Sequence, residues 1–503
     1  MAVPSNVGPT SGRSVPGVCE VPAVVAPLRR QIGLGQGVAL YVSAVVGAGV
    51  LVLPGQTAGL AGPASLVAWA FSCLLGVLLA ATFAVLASRR PDAGGVATFA
   101  TEAFGSSVGG VTGWWYLVAG SVGQTVVPLT GGYYLADALG VDPHWAYLVA
   151  AGILTVALCV NLAGIRVSAG TQVALATAVA AILSAAALTG ITHPVAHPFI
   201  PFAPHGLGGI GEAVVVLFFA FAGWEAVAHL AAEFRDPERD LPRATAITVG
   251  LVSVLYLGIA AAVVVTRSYG TAQLDHLAVG QLLSRTFGVG ATDAAAGAAL
   301  AICLGTTNAF VASVSRLAYA LGRDGWLPRP IGHMSRRGVP GGGVVLVVAV
   351  GAAGLVVAWA AGWGTEQIVL VPATLVLCVY LVATASAVRL TRGRPRMVAA
   401  AALALCACAV PFSFGHLLIP AVVMLAALGY RRLHLRRRPL NGEAGAESRM
   451  RAAPSDVMSA PGCKVTSPGP PKEDGSRPTA PSSTVGASTA ASDHQIHRDT
   501  TER

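Results

Sequence analysis

Polar and charged residues are so sparse along this chain that they punctuate it rather than pattern it. Between Arg30 and Arg89 no charged residue occurs. That interval holds two helices of about 20 residues, the length that crosses the hydrocarbon core of a bilayer. The segment AGLAGP, Ala58 to Pro63, divides them, because glycine and proline interrupt a helix. Further apolar runs predict spans near 109–138, 144–164, 168–190, 210–233, 244–266, 292–321, 343–363, 367–389, 397–413 and 417–433. The total is twelve. The last two runs are short and punctuated by Pro and Gly, so eleven is the alternative count. The expected fold class is an all-α polytopic membrane protein.

Composition sharpens this. The 503 residues are 54% hydrophobic and 11% charged, where soluble domains carry about 25% charged residues. The net charge of +9 needs no nucleic acid, because arginine follows the membrane. With the N-terminus in the cytoplasm, twenty-one arginines lie beside the spans on the cytoplasmic side, while the external loops hold two, Arg267 and Arg285. That asymmetry predicts a multi-pass protein of the plasma (bacterial inner) membrane with both termini cytoplasmic. Six of the eight cysteines (Cys73, Cys159, Cys303, Cys378, Cys406 and Cys408) sit in apolar runs and read as small hydrophobes. No metal site is expected at Cys406 and Cys408, which lack neighbouring ligands. Residues 1–30 read as a flexible cytoplasmic segment with no cleavable signal peptide. Residues 31–434 form the membrane domain, and residues 435–503, rich in Pro, Ser, Gly, Ala and Thr, form a disordered cytoplasmic tail.

The first and sixth spans echo each other. A shift of 176 superposes GLGQGVALYVSAVVGAG (Gly33 to Gly49) on GIGEAVVVLFFAFAGWE (Gly209 to Glu225), matching Gly33, Gly35 and Gly47 with Gly209, Gly211 and Gly223. Five spans separate the copies, the parity of an inverted repeat. A helix unwound at mid-membrane exposes amides and carbonyls, tolerable only where they line a cavity. Freed amides attract a carboxylate and freed carbonyls an ammonium, so an α-amino acid suits both. The alternative is that these glycines are close-packing positions between helices.

Glu225, His229 and Glu233 are spaced by four and share one helix face. Glu225 is the deepest acid, and an acid at the bilayer centre costs roughly 2.5–3.5 kcal/mol. It must therefore face a cavity or a partner. In one reading Glu225 takes up and releases a proton, with His229 as relay or partner. In the other it caps freed amides or bridges helices without titrating. Glu233, beside Arg235 and Arg239, reads as part of a loop ion-pair network. Thr307 and Asn308 are candidate ion or substrate contacts, including for sodium, or else hydrogen bonds between helices. Trp114, Trp115 and Tyr116 read as interfacial anchors.

Three segments carry a family resemblance. VVGAGVLVLPG (Val45 to Gly55), FAFAGWEAVAHLAAEFRDPERDLPRA (Phe219 to Ala244) and NAFVASVSRLAYALGRDGWLPR (Asn308 to Arg329) resemble the first, sixth and eighth helices of the amino acid–polyamine–organocation (APC) superfamily. The likeness covers about Gln31 to Arg432, and its second segment is most similar to a bacterial subgroup exporting L-methionine and branched-chain amino acids. It implies a five-plus-five inverted-repeat, LeuT-like core with helices 1 and 6 broken, two added helices, and alternating access. It implies a substrate pocket lined by Val46, Gly47, Ala48, Gly49 and Val50 and by Phe219, Ala220, Phe221, Ala222, Gly223 and Trp224. Phe219 matches an aromatic that closes over substrate. Ala48 stands where many members have a serine, so backbone amides must do more. The fifth span, Val167 to Leu188, lacks the lysine of some proton-coupled relatives.

The reading is thus a secondary transporter of neutral, hydrophobic amino acids, proton-coupled and working in efflux, with an uptake permease or exchanger as the alternative. Expected partners are a small-molecule amino acid and the lipid bilayer; the oligomeric state stays open. No cofactor is expected beyond a coupling ion, proton or sodium. A membrane enzyme would need acids, histidines or nucleophiles converging at one depth, and the spans offer almost none beyond Glu225 and His229. A sensor or scaffold would need a partner motif in the tail, and none is legible.

Overall fold

A computed structural model describes residues 32–89, 94–164, 169–225, 234–287, 290–335 and 338–436. The two terminal segments expected to be flexible fall almost wholly outside them, as do His229 and Glu233. The described residues are nearly all helical, with no strand beyond one isolated bridge between Ile32 and Phe234.

The helices follow the apolar runs. They are α1 (Leu34–Val45), α2 (Gly49–Ala61), α3 (Ser65–Arg89), α4 (Val96–Phe104), α5 (Ser106–Ala138), α6 (Trp145–Ala163), α7 (Ala169–Thr192) and α8 (Gly206–Ala220). After them come α9 (Pro237–Val265), α10 (Ala272–Phe287), α11 (Gly290–Arg323), α12 (Gly341–Ala361), α13 (Thr365–Ile368), α14 (Leu370–Leu390), α15 (Arg394–Ala409) and α16 (Leu418–Arg436). The expected turn between the first two spans is present: Gly62 takes a positive φ of 62° and Pro63 opens a short 3-10 turn into α3. α9 starts seven residues earlier than its apolar run suggests. There Asp236 accepts the Arg239 amide at 3.2 Å and Pro237 occupies the first turn, an N-terminus built from polar residues.

Among the described residues seven helices are long and apolar enough to cross a membrane, and 176–192 and 206–220 are shorter apolar helices. Leu148, Leu188, Val254, Val356 and Leu425 are between 62% and 72% exposed. A surface this apolar is stable against lipid rather than water. α5 runs through the interior, packed by α6, α11, α12 and α14, while α2 packs on α8 and α1 on α9. The bridge at Ile32, where the Arg235 amide donates to Ile32 O at 2.9 Å, ties the entry of α1 to the entry of α9.

Candidate functional site

Both echoing helices are broken. α1 stops at Val45; Val46, Gly47 and Ala48 are not helical, and α2 begins at Gly49. α8 stops at Ala220, Phe221 to Gly223 form a turn, and Trp224 and Glu225 are helical again. Under the shift of 176 the first break lands on the second to within one residue. Gly223 has φ +140°, open to glycine and rarely to other residues. The breaks lie side by side: a Cβ on Gly49 would sit 3.3 Å from Ala220 Cα, and one on Gly47 would sit 2.9 Å from Thr306 Cγ2.

The freed backbone groups divide sharply. Val45 O accepts from the Gly47 amide at 2.8 Å and lies 2.6 Å from the Tyr256 hydroxyl of α9. The same hydroxyl lies 3.1 Å from Ala220 O, so one phenol reaches the ends of both broken helices. Tyr380 of α14 donates toward Phe221 O at 2.8 Å. The carbonyls are therefore capped by tyrosines. The amides of Ala48 and Gly49, by contrast, meet no acceptor among the described residues.

Glu225 is fully buried just beyond the second break. Its Oε1 accepts from the Gly223 amide at 3.1 Å and its Oε2 from the Tyr380 hydroxyl at 2.7 Å. The Tyr116 hydroxyl of α5 lies against the same carboxylate. Among the described residues no basic side chain pairs with it. The acid thus does what a cap does, closing an amide that the break released, while hydroxyls from two other helices solvate it.

Between the breaks lies a cavity with about 30 Å3 of free space, enough for water but not for an amino acid. Of the eleven residues expected to line the pocket, Gly47, Ala48, Gly49, Phe219, Ala220 and Ala222 do so. Val46, Val50, Phe221, Gly223 and Trp224 are buried behind them. Phe221 instead packs edge-on against Tyr256 at 5.4 Å, and Trp224 against Tyr41 at 5.8 Å. Phe219 sits over Gly123 of α5, whose missing side chain leaves room for the ring.

Most of the rest of the wall comes from three further helices. α5 supplies Tyr116 and Gln124, α11 Thr306 and Phe310, and α14 Pro372 and Val376. Tyr116 is not an interfacial anchor: it is 1% exposed, on the cavity wall. Trp114 and Trp115 are half-buried and donate to Trp326 O and Pro420 O, both at 2.9 Å. On α11 it is Thr306 that reaches the cavity. Thr307 is fully buried outside the lining, and Asn308 accepts from Asn161 of α6 at 2.7 Å, a bond between helices. No acid, histidine, lysine or arginine lines the cavity.

A second cavity, about 540 Å3, opens at the other end of α2 and α8. Its polar wall is Gln56, Glu212, Asp275, His276, Glu366 and His416. Gln56 Nε2 donates to Thr365 Oγ1, which lies 3.0 Å from His276 Nδ1, and His276 Nε2 lies 3.0 Å from Glu366 Oε2. Thr365 Oγ1 thus lies between a donating carboxamide and one imidazole nitrogen, while the Glu366 carboxylate faces the other nitrogen. Tyr133 stacks on the imidazole at 4.9 Å. The chain clasps α2, α5, α10 and α13 together.

These features define a polytopic helical membrane protein with a buried, apolar cavity held between two broken helices. The amino acid permease family matches residues 32–429, and the chain belongs to that family, within the APC superfamily. It is 34% identical to an uncharacterized amino acid permease, YecA, of Bacillus subtilis over 61% of this chain and 72% of that protein. It is 30% identical to the L-methionine/branched-chain amino acid exporter YjeH of Escherichia coli over 82% of this chain and 99% of that one. It is 26% identical to the branched-chain amino acid permease BcaP of Lactococcus lactis over 62% and 74% of the two chains. The relatives are permeases and an exporter, not enzymes.

Proposed function

We propose that this chain is a secondary active transporter that moves neutral, hydrophobic amino acids across the plasma membrane by alternating access. The observation that carries this is that the Ala48 and Gly49 amides at the start of α2 have no acceptor among the described residues and lie on the wall of an apolar cavity free of charged groups. Amides at a helix start suit a carboxylate. The wall of Val127, Phe219, Phe310 and Val376 suits an aliphatic or thioether side chain, and it offers no partner to a cationic or anionic one. In this reading the core is a five-plus-five inverted repeat within twelve spans, with both termini cytoplasmic. The second cavity is then the outer mouth.

The coupling ion proposed is the proton, taken up by Glu225. A carboxylate buried among hydroxyls, with Tyr116 shared between it and the cavity wall, has a short route to the cargo. Efflux is proposed from the likeness to YjeH; the likeness to BcaP supports uptake as a second reading. Labelled methionine and leucine flux in proteoliposomes, with and without a pH gradient, tests the assignment against Glu225→Gln. Gradient-driven flux that the variant loses is expected. Flux indifferent to the gradient in both proteins would remove the proton role, and no flux of either amino acid would remove the substrate class.

A further inference from the structure

One polar side chain of the central cavity has no part in the reading above. Gln124 of α5 is 1% exposed and lines the cavity. Its Nε2 donates to Gly120 O, one turn back in its own helix, at 3.0 Å. That bond sets the orientation of the carboxamide, because a carbonyl can only accept. Oε1 is then left buried without a donor among the described residues. Buried acceptors are nearly always paired, so an orphan on a cavity wall marks a place where a donor arrives.

Several other acceptors near the breaks are already shared with protein donors: Val45 O lies against the Gly47 amide and the Tyr256 hydroxyl, and Ala220 O and Phe221 O each lie against a tyrosine hydroxyl. No carboxylate lines the cavity. Tyr116 and Thr306, the other polar side chains of the wall, are hydroxyls that donate as readily as they accept, so they do not separate an ammonium from a carboxylate. Gln124 Oε1 accepts only.

We propose that Gln124 Oε1 accepts the α-ammonium of the substrate, so that this residue selects α-amino acids over carboxylic acids of the same shape. The inference rests on the transport reading and adds the group that recognises the amine. A site built to bond an amine rejects the analogue lacking it, because the acceptor is then left orphaned again.

Binding to the purified full chain tests this, with leucine and with 4-methylpentanoate, which keeps the side chain and carboxylate but has no amine. Gln124→Leu removes the acceptor at similar volume; Gln124→Glu keeps one. Gln124→Leu is expected to weaken leucine by about tenfold or more and to leave 4-methylpentanoate unchanged, collapsing the preference between them. Gln124→Glu is expected to retain the preference. Leucine affinity within about twofold of wild type in Gln124→Leu overturns the proposal. Equal weakening of both ligands in both variants also overturns it, since that is a packing effect. Where Gln124→Leu fails to melt cooperatively, Gln124→Glu decides: loss of the preference there refutes the role. Wild-type protein that binds neither leucine nor methionine would remove the transport reading itself, an outcome distinct from a failed variant in a wild type that binds.

Discussion

At the scale of the residue, Tyr380 carries more than its size suggests. Its single hydroxyl proton lies between Phe221 O at 2.8 Å and Glu225 Oε2 at 2.7 Å. Tyr380→Phe leaves a carbonyl and a buried carboxylate oxygen short of a donor, and a buried group without its partner costs about 1–3 kcal/mol. A lower melting temperature of the purified protein is expected; an unchanged one would show that the hydroxyl contributes nothing to closing the break. Glu225, Gly47 and Gly223 were legible in the sequence because each contradicts its apolar surroundings. Tyr116 and Gln124 were not. α5 shows no single polar face in its sequence, so which side turns inward is decided by the helices packed around it. Thr306 was missed for a simpler reason: one residue is about 100° of rotation on a helix, and the neighbouring Thr307 was taken instead.

At the scale of the element, the long helices were legible because apolar runs of membrane length have few other fates. α4 and α10 were not, being short and mixed in composition. α10 brings Asp275 against Gly59 of α2, where Oδ1 accepts the Gly270 amide at 2.9 Å. Burial holds this carboxyl above its ordinary value of 3.8, aided by Glu366 and opposed by the Gly270 amide and His276. The folded protein therefore grips this proton more tightly than the unfolded chain does. The stabilisation is complete below pH 3.8 and is lost as pH rises through the folded value. Asp275→Asn keeps the shape and the acceptor without that loss. It is expected to melt higher than wild type at neutral pH, with the gap closing as the pH falls into the carboxylate range. A gap that does not vary with pH would show that Asp275 is not the source.

At the scale of the whole molecule, the family match ends at residue 429 and α16 at Arg436. The machine proposed above lies within those bounds. Deleting residues 440–503 is expected to leave amino acid flux per reconstituted molecule unchanged; loss of flux at equal insertion would make the tail part of the mechanism. The helical class and the two interruptions were readable from composition and glycine placement, whereas the meeting of those interruptions was not, since it depends on pairs such as Gly49 and Ala220 that lie far apart in sequence. That meeting is where Tyr256 stands, within reach of Val45 O and Ala220 O together. If one half-helix swings away alone, the phenol keeps one carbonyl and loses the other. Movement of both ends about α9 loses neither. Synchrony between two hinges is what separates a pump from a leak, because hinges that work independently pass through a state open to both sides. In the cycle proposed above, the Tyr256 hydroxyl oxygen is the atom common to both hinges.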